Sequence, residues 1–414
     1  MNVVEIPWAA WYGDEQHAIA FPEDWAMSVH AMRDRPGMPS AEIEAAIASS
    51  VDWQVLARKA KGTHGKVAIA VDDLTRPTPA WQVLPSLLAG LQRSGIDRDQ
   101  VRILMALGNH RVLVLDDLRK KLGERVASDL CVLNHSPFTN LAKLGTSPCG
   151  ISIEVNRTFA EADVKIGIGC VLPHSHTGFS GGAKIVLPGL SAIDTVQQFH
   201  QMRPLRKDAE TGEMDVVDRD RIRLEMHHFV QTVGLDLTIN TIVNSKREIA
   251  GLSIGDAVGA YQKGVDLAKQ VYATALPDGV DVVVLNAYPK DTEFYQVLNA
   301  FQIIRRTQRM VVHEEGTIVL TTAASEGMGF HYLFGPEGRR PFKFDPQMFG
   351  GRRLFLYSPT VVTSQVQSVF PTGAEFFRHW NPLVDRLRVL YGGSCRVAVL
   401  PCASIQTASD PTES

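Results

Sequence analysis

The amino-acid sequence predicts an α/β protein built as two α/β domains. Three observations carry that prediction. Short apolar runs alternate with longer amphipathic stretches, the rhythm of strands separated by helices. The rhythm breaks at Leu276-Pro277-Asp278-Gly279 and then restarts. The 414 residues suffice for two domains, each with its own core.

In the first half, VAIAVDD (67–73) reads as a buried strand, apolar until two aspartates close it. RPTPAWQVLPSLLAGLQRSG (76–95) follows as a helix, with prolines at its start and glycine at its end. VRILMALG (101–108) is the next strand, and LDDLRKKLG (115–123) the next helix. DLCVLNH (129–135) is a further strand, and ISIEVNRTFAEADVKIGIG (151–169) supplies two more. SAIDTVQQFH (191–200) reads as a helix. The charge-dense 203–223 segment is expected to be an exposed loop leading into a helix at RIRLEMHHFVQTVG (221–234). A hairpin over 235–256 and an amphipathic helix over 257–274 complete this half.

In the second half, VDVVVLNA (280–287), GTIVLTTAA (316–324), RLFLYSPT (353–360) and RVAVLPC (396–402) read as strands. FYQVLNAFQIIRRTQRM (294–310) reads as a helix between two of them. The expected domains are therefore residues 1–275 and 279–405, and the polar tail 406–414 is expected to be disordered.

Bulk composition narrows the function. A formal net charge of −3 argues against nucleic acid as a main partner, which would need a basic face. MNVVEIPWAAWYGDEQ lacks the basic start and apolar block of a signal peptide, and no apolar run is long enough to span a bilayer. Five scattered cysteines form no CxxC pair, as expected of reduced thiols in the cytoplasm rather than a disulfide framework or thiolate zinc site.

Residues 171–190, VLPHSHTGFSGGAKIVLPGL, combine two histidines, four glycines and a lysine. A Walker loop fails here, because Ile185 rather than Ser or Thr follows Lys184. A dinucleotide fingerprint fails too, since Gly167 and Gly169 have no third glycine partner. His174 and His176 alternate at strand spacing, a familiar start to a metal site, and His200 lies beyond them. VDDLTRPTP places Asp72, Asp73, Thr75 and Arg76 at a strand's carboxyl end, where open α/β sheets bind ligands. Taken alone, that motif is equally read as an aspartate helix cap with a surface arginine. MALGNHR ends the next strand with Gly108, Asn109, His110 and Arg111. Three strand ends thus bring Asp73/Arg76, His110 and His174 to one sheet edge.

The motifs DDLTRPTP, LGNHR and PHSHTGFSGGAKIVLPG, with His200 after them, resemble those of the lactate racemase family, whose members use a nickel-pincer nucleotide. The resemblance continues through NTIVNSKREIAGLSIGD into YPKDTEFYQ. It implies two α/β domains with the active site in the interdomain cleft. The reaction it implies is inversion at C2 of a 2-hydroxy acid by reversible hydride transfer. The cofactor would be nickel(II) pyridinium-3,5-bisthiocarboxylic acid mononucleotide, attached covalently at Lys184, with His200 as the protein's nickel ligand. Asp73, Leu74, Thr75 and Arg76 would cradle the nucleotide, with Arg76 also facing substrate. His110 and His174 would be the acid/base pair, and Gln296 would touch the substrate carboxylate.

The chemistry suits the residues. A hydrogen on a carbinol carbon beside a carboxylate is barely acidic. Removing it as hydride while imidazole takes the hydroxyl proton avoids a dianion. Imidazole also suits nickel(II). Lysine must be neutral to be acylated, which a partly desolvated pocket favours. The family implies maturation partners as well: a carboxylase, a sulfur transferase and a nickel insertase.

One departure stands out. The family pattern has lysine three residues after Gln296, where this chain has Asn299. Arg76 would then hold the carboxylate alone, or Lys290, Arg305 or Arg306 would compensate. The expected substrate is therefore larger than lactate, and Asn299 is a candidate contact to it. Two other readings compete. One is a metal-dependent hydrolase built on His174, His176 and His200. The other is a homologue that keeps the cofactor site without turnover.

Overall fold

The structure, a computed structural model, describes residues 1–60, 65–202, 216–307, 309–335, 338–340, 344–370 and 372–409. The chain divides into two compact α/β units, residues 35–268 and residues 1–34 with 269–414.

The first unit is organised by a six-stranded sheet. Its order is Ile249–Gly255, Leu237–Val243, Val164–Cys170, Val67–Asp72, Val101–Ala106 and Cys131–Asn134. All neighbours pair in parallel except the hairpin formed by the first two. A parallel sheet covered on both faces asks for unbroken apolar runs. Accordingly Ile69, Ala70, Val71, Ile103, Ile166, Ile168 and Ile239 are buried. Connections from the Val67–Asp72 strand lead one way and those from Val164–Cys170 the other. The crevice at the carboxyl ends of these two neighbours is the topological switch point, where such sheets bind ligands.

The other unit holds a six-stranded, all-parallel sheet. Its order is Ala374–Phe377, Arg353–Tyr357, Val312–Thr321, Val280–Asn286, Arg396–Leu400 and Ala26–Val29. Its two faces are covered by separate clusters, one around Phe294, Phe301, Phe344 and Phe370, the other around Trp8, Phe21, Trp25, Phe355 and Trp380.

Four expectations need correction. The expected 1–275 domain does not hold together, because its first 34 residues belong with the C-terminal sheet. Residues 406–408 are ordered: Thr407–Ala408 pairs with Ala273–Thr274. Residues 410–414, like the expected loop over 203–215, lie outside the described residues. The helix expected from 221 already runs from Val216 to Val233. The helix expected over 294–310 is a 3₁₀ helix from Phe294 to Phe301, with one α turn over Gln302–Arg305. Of its buried side chains, Phe294, Val297 and Ala300 recur every third residue, and three residues per turn place them on one face, with Phe301 buried beside them.

Candidate active site

The Val67–Asp72 strand delivers the first group. Asp73 follows it, buried, and its Oδ1 accepts the Thr75 amide at 3.0 Å and the Thr75 hydroxyl at 2.5 Å. Its other oxygen accepts from His110 Nδ1 at 2.5 Å. Asp73 is therefore not a helix cap; the helix begins at Ala80, with Pro79 at its N-cap. Leu74 beside it is buried, and half-buried Arg76 turns Nη1 onto the Thr75 hydroxyl at 2.8 Å and the Thr75 carbonyl at 3.1 Å.

Burial alone would raise the Asp73 carboxyl. The His110 imidazole, Arg76 and the Thr75 hydroxyl outweigh it and hold Asp73 well below the carboxylate range. An ionised Asp73 on Nδ1 keeps the His110 proton there and leaves the lone pair on Nε2. That is the tautomer a general base needs.

Beneath this turn lies a residue the sequence did not announce. Lys121 is fully buried, its ammonium 2.7 Å from Asp72 Oδ1, and it donates to the carbonyls of Asp73 at 2.8 Å and Arg76 at 2.9 Å. Burial acts against both charges, raising Asp72 and lowering Lys121, and the oxygens around the ammonium oppose it. Thr78 completes the brace by donating to Asp72 Oδ2 at 2.6 Å. In the sequence Lys121 looks like part of a surface run, Arg119-Lys120-Lys121. The available signal is its spacing: it falls three and four residues after Leu118 and Asp117, on the helix's inner face.

The Val164–Cys170 strand delivers the second group. Pro173–His174 pairs with Gly178–Phe179 in a small antiparallel hairpin. His174 Nδ1 accepts the backbone N–H of His176 at 3.2 Å, with the Thr177 hydroxyl 3.3 Å away. A lone pair on Nδ1 puts the proton of neutral His174 on Nε2. His110 and His174 are thus set in opposite tautomers. Lys184 follows in the Gly182–Ile185 3₁₀ turn. Gly167 lets this turn lie on the sheet, since a Cβ there would come within 2.7 Å of Ile185. Gly182 has φ +54° and donates its amide to Asn240 Oδ1 at 2.8 Å.

His200 closes the Ile193–Gln201 helix. Its Nδ1 donates to Val196 O at 2.8 Å, which leaves the lone pair on Nε2, the form that ligates a metal. The His176 ring stacks on His200 with centroids 5.5 Å apart, and its edge meets Phe199. His176 is pushed down to about 3, first by burial and then by the charges of His200 and Lys184. Lys184 and His200 therefore converge on one neutral imidazole. The competing hydrolase reading finds no support: among the described residues no three His, Cys, Asp or Glu side chains gather to hold a metal.

Gln296 and Asn299 lie in the other unit, on the Phe294–Phe301 turn. Asn299 Nδ2 donates to both the carbonyl and Oε1 of Gln296, each at 2.9 Å. Asn299 thus orients Gln296. Of the cations considered as substitutes, Lys290 is buried, and Arg305 and Arg306 are half-buried on the α turn that follows.

Fold and site define an α/β protein with an aspartate-backed histidine, a second histidine, a lysine and a metal-competent imidazole at a sheet's switch point. Residues 12–212 match the lactate racemase N-terminal domain family. A lactate racemase from Lactiplantibacillus plantarum is 29% identical over 291 residues, 69% of this chain and 66% of that protein, just under two thirds of its length. One from Thermoanaerobacterium thermosaccharolyticum is 25% identical over 340 residues, 80% and 76% of the two chains. The lactate racemase apoprotein structure from T. thermosaccharolyticum superposes with a TM-score of 0.75 at 19% identity, covering 99% of this chain and 100% of that one. A Thermotoga maritima protein superposes with a TM-score of 0.65 at 20% identity, covering 90% and 98%. The chain is therefore similar to the lactate racemases, most clearly over residues 12–212, in line with the resemblance of its motifs.

Proposed function

We propose that this protein is a 2-hydroxy acid racemase or epimerase of the cytoplasm, using a nickel-pincer nucleotide held at Lys184, with a substrate larger than lactate. The observation that carries the reading is the opposed pair of histidines. His110 presents a lone pair at Nε2 and His174 a proton at Nε2, on the loops after the two strands that flank Val67–Asp72.

The residues present fit the group. His200 would hold nickel through the lone pair on its Nε2, a ligand type that suits this metal. Lys184 sits in a glycine-lined turn beside the buried His176 imidazole, and it is as the free amine that such a lysine would be acylated. Asn109 Oδ1, adjoining His110, is buried without a hydrogen-bond partner, as a group awaiting a donor from a ligand would be. When bound, the cofactor supplies a reversible acceptor for the C2 hydride.

The chain's own residues do the rest. His110 Nε2 accepts the hydroxyl proton, and Asp73 stabilises the imidazolium that forms. The resulting keto acid is planar, so return of hydride to the opposite face inverts C2. His174 takes a proton from water at Nδ1 as its contact to the His176 amide breaks, gives its Nε2 proton to the substrate oxygen and returns to neutral, while His110 releases its proton to water. Arg76 pairs with the carboxylate. Gln296, oriented by Asn299, provides a neutral amide surface where a cation would select a small acid, which suits a substrate bearing further hydroxyl or carbonyl groups.

The test is a racemisation assay. Protein matured by co-expressed carboxylase, sulfur transferase and nickel insertase is incubated with single enantiomers of lactate and of larger 2-hydroxy acids, including sugar acids and aromatic and branched acids. Chiral chromatography should show inversion of a larger acid faster than of lactate. Faster inversion of lactate than of every larger acid would refute the substrate assignment, and inversion of none would refute the activity.

A further inference from the structure

The hairpin that carries His174 is gripped by a side chain outside the site described above. Arg223, on the Val216–Val233 helix, is buried, and its Nη2 donates to the carbonyl of Thr177 at 3.0 Å and that of Phe179 at 2.5 Å. Its guanidinium carbon lies 3.9 Å from the centre of the Tyr261 ring. Its Nε and Nη1 have no hydrogen-bond partner, and no ion pair to a carboxylate is present among the described residues. A buried guanidinium without a carboxylate is costly, and an apolar side chain of the same length would pack there more cheaply. What arginine adds is a pair of charge-assisted hydrogen bonds to two carbonyls of one turn.

That turn sets the state of His174. Thr177 donates its hydroxyl to Phe179 O at 2.8 Å, and the same hydroxyl oxygen lies 3.3 Å from His174 Nδ1. The His176 amide that donates to Nδ1 belongs to the same four-residue bend. Arg223 therefore binds both carbonyls whose positions fix the Thr177 hydroxyl and, through the bend, the His176 N–H. Gly182, before Lys184, packs against Tyr261, since a Cβ there would come within 2.9 Å of the tyrosine Cβ. The arginine, the tyrosine and the lysine turn are thus one packed unit.

We propose that Arg223 is a positioning residue for His174: by tying the Thr177 and Phe179 carbonyls together it holds His174 in its Nε2–H tautomer and keeps the ring aimed. The importance of this for turnover rests on the reading of His174 as an acid/base residue, whereas the tautomer itself does not.

The test uses full-length protein labelled with ¹⁵N-histidine, without cofactor, and resolves the ring nitrogens of His174, assigned by loss of its signals in His174→Gln. Native protein should show a single Nε2–H pattern. Arg223→Met, which fills the space without donors, should give mixed tautomers or broadened His174 signals. His110 and His135 should keep theirs, which a general loosening of the fold would not allow. Arg223→Lys should restore part of the native pattern. In cofactor-loaded protein, Arg223→Met should lower kcat on the order of tenfold to a hundredfold with KM little changed. An unchanged His174 pattern in folded Arg223→Met overturns the proposal. Should that variant not fold, Thr177→Val takes its place. It should perturb His174 in the same way, and an unchanged pattern there overturns the proposal equally. Failure of every substrate to racemise would leave the tautomer result standing and would count against the proposed function alone.

Discussion

Asp73→Asn tests the base assignment most sharply, because it changes one oxygen to an NH₂ and almost no volume. The carboxylate's Oδ1 holds the Thr75 amide and hydroxyl, and its Oδ2 holds His110 Nδ1 at 2.5 Å. An asparagine keeps the Thr75 contacts through its amide oxygen. Its Nδ2 then faces His110 Nδ1 as a donor. The imidazole must answer by placing its lone pair on Nδ1 and its proton on Nε2, the atom proposed to accept the substrate proton. Losing a charge-assisted hydrogen bond costs about 1.5–3 kcal/mol, roughly ten- to a hundredfold in rate. The wrong tautomer adds to that, and in a serine protease the equivalent change lowers kcat about 10⁴-fold. The expected loss here is therefore on the order of 10³- to 10⁴-fold in kcat with KM little altered. The assay is chiral chromatography on loaded protein, with intact mass to confirm equal cofactor content and thermal melting to confirm the fold. A folded, loaded Asp73→Asn enzyme within about threefold of native would show that Asp73 does not set the His110 tautomer, since that loss is smaller than one charge-assisted hydrogen bond.

Three further outcomes are expected. Lys121→Met should destabilise the first unit by about 3–5 kcal/mol in urea denaturation, because it leaves Asp72 and two carbonyls buried without their ammonium; a loss within experimental error would mean that the brace contributes nothing. His135 is pushed down to about 4, chiefly by burial. Its folded form stays neutral while the unfolded chain takes up a proton below about pH 6.5, so stability should be full above that value and fall by about 2 kcal/mol on reaching roughly pH 5. His135→Gln should flatten that part of the profile, and an identical slope in the variant would contradict the assignment. Asn299→Lys should shift the ratio of kcat/KM for lactate over that for a larger acid by about tenfold toward lactate, the worth of one charge-assisted hydrogen bond; an unchanged ratio would place Asn299 away from the substrate carboxylate.

The strands around the site were legible because a doubly covered parallel sheet requires runs such as VAIAVDD and VKIGIGC, and because the aspartates and histidines that end them interrupt an apolar pattern. Edge strands gave no such signal. Ala26–Val29 is mostly exposed, so nothing in AMSV announces that it extends the far sheet. Leu141–Thr146, another largely exposed strand, was hidden for the same reason. The 3₁₀ turn over Phe294–Phe301 carries apolar residues, Phe294, Val297 and Phe301 among them, that fit an α helix as well, so the letters do not separate the two. In the site, residues at strand ends were readable from type and position. Lys121 and Arg223 were not, since a buried cation on a helix is written in the same letters as a surface one. Only the tertiary structure shows that each is aimed at backbone carbonyls.

Intact mass shows directly whether Lys184 carries the proposed covalent cofactor. The native chain and Lys184→Ala are each expressed with the maturation enzymes and nickel, beside a lactate racemase matured in the same cells. An adduct of the pincer nucleotide's mass is expected on the native chain and none on the variant. Unmodified mass in both, with the control racemase modified, would contradict it.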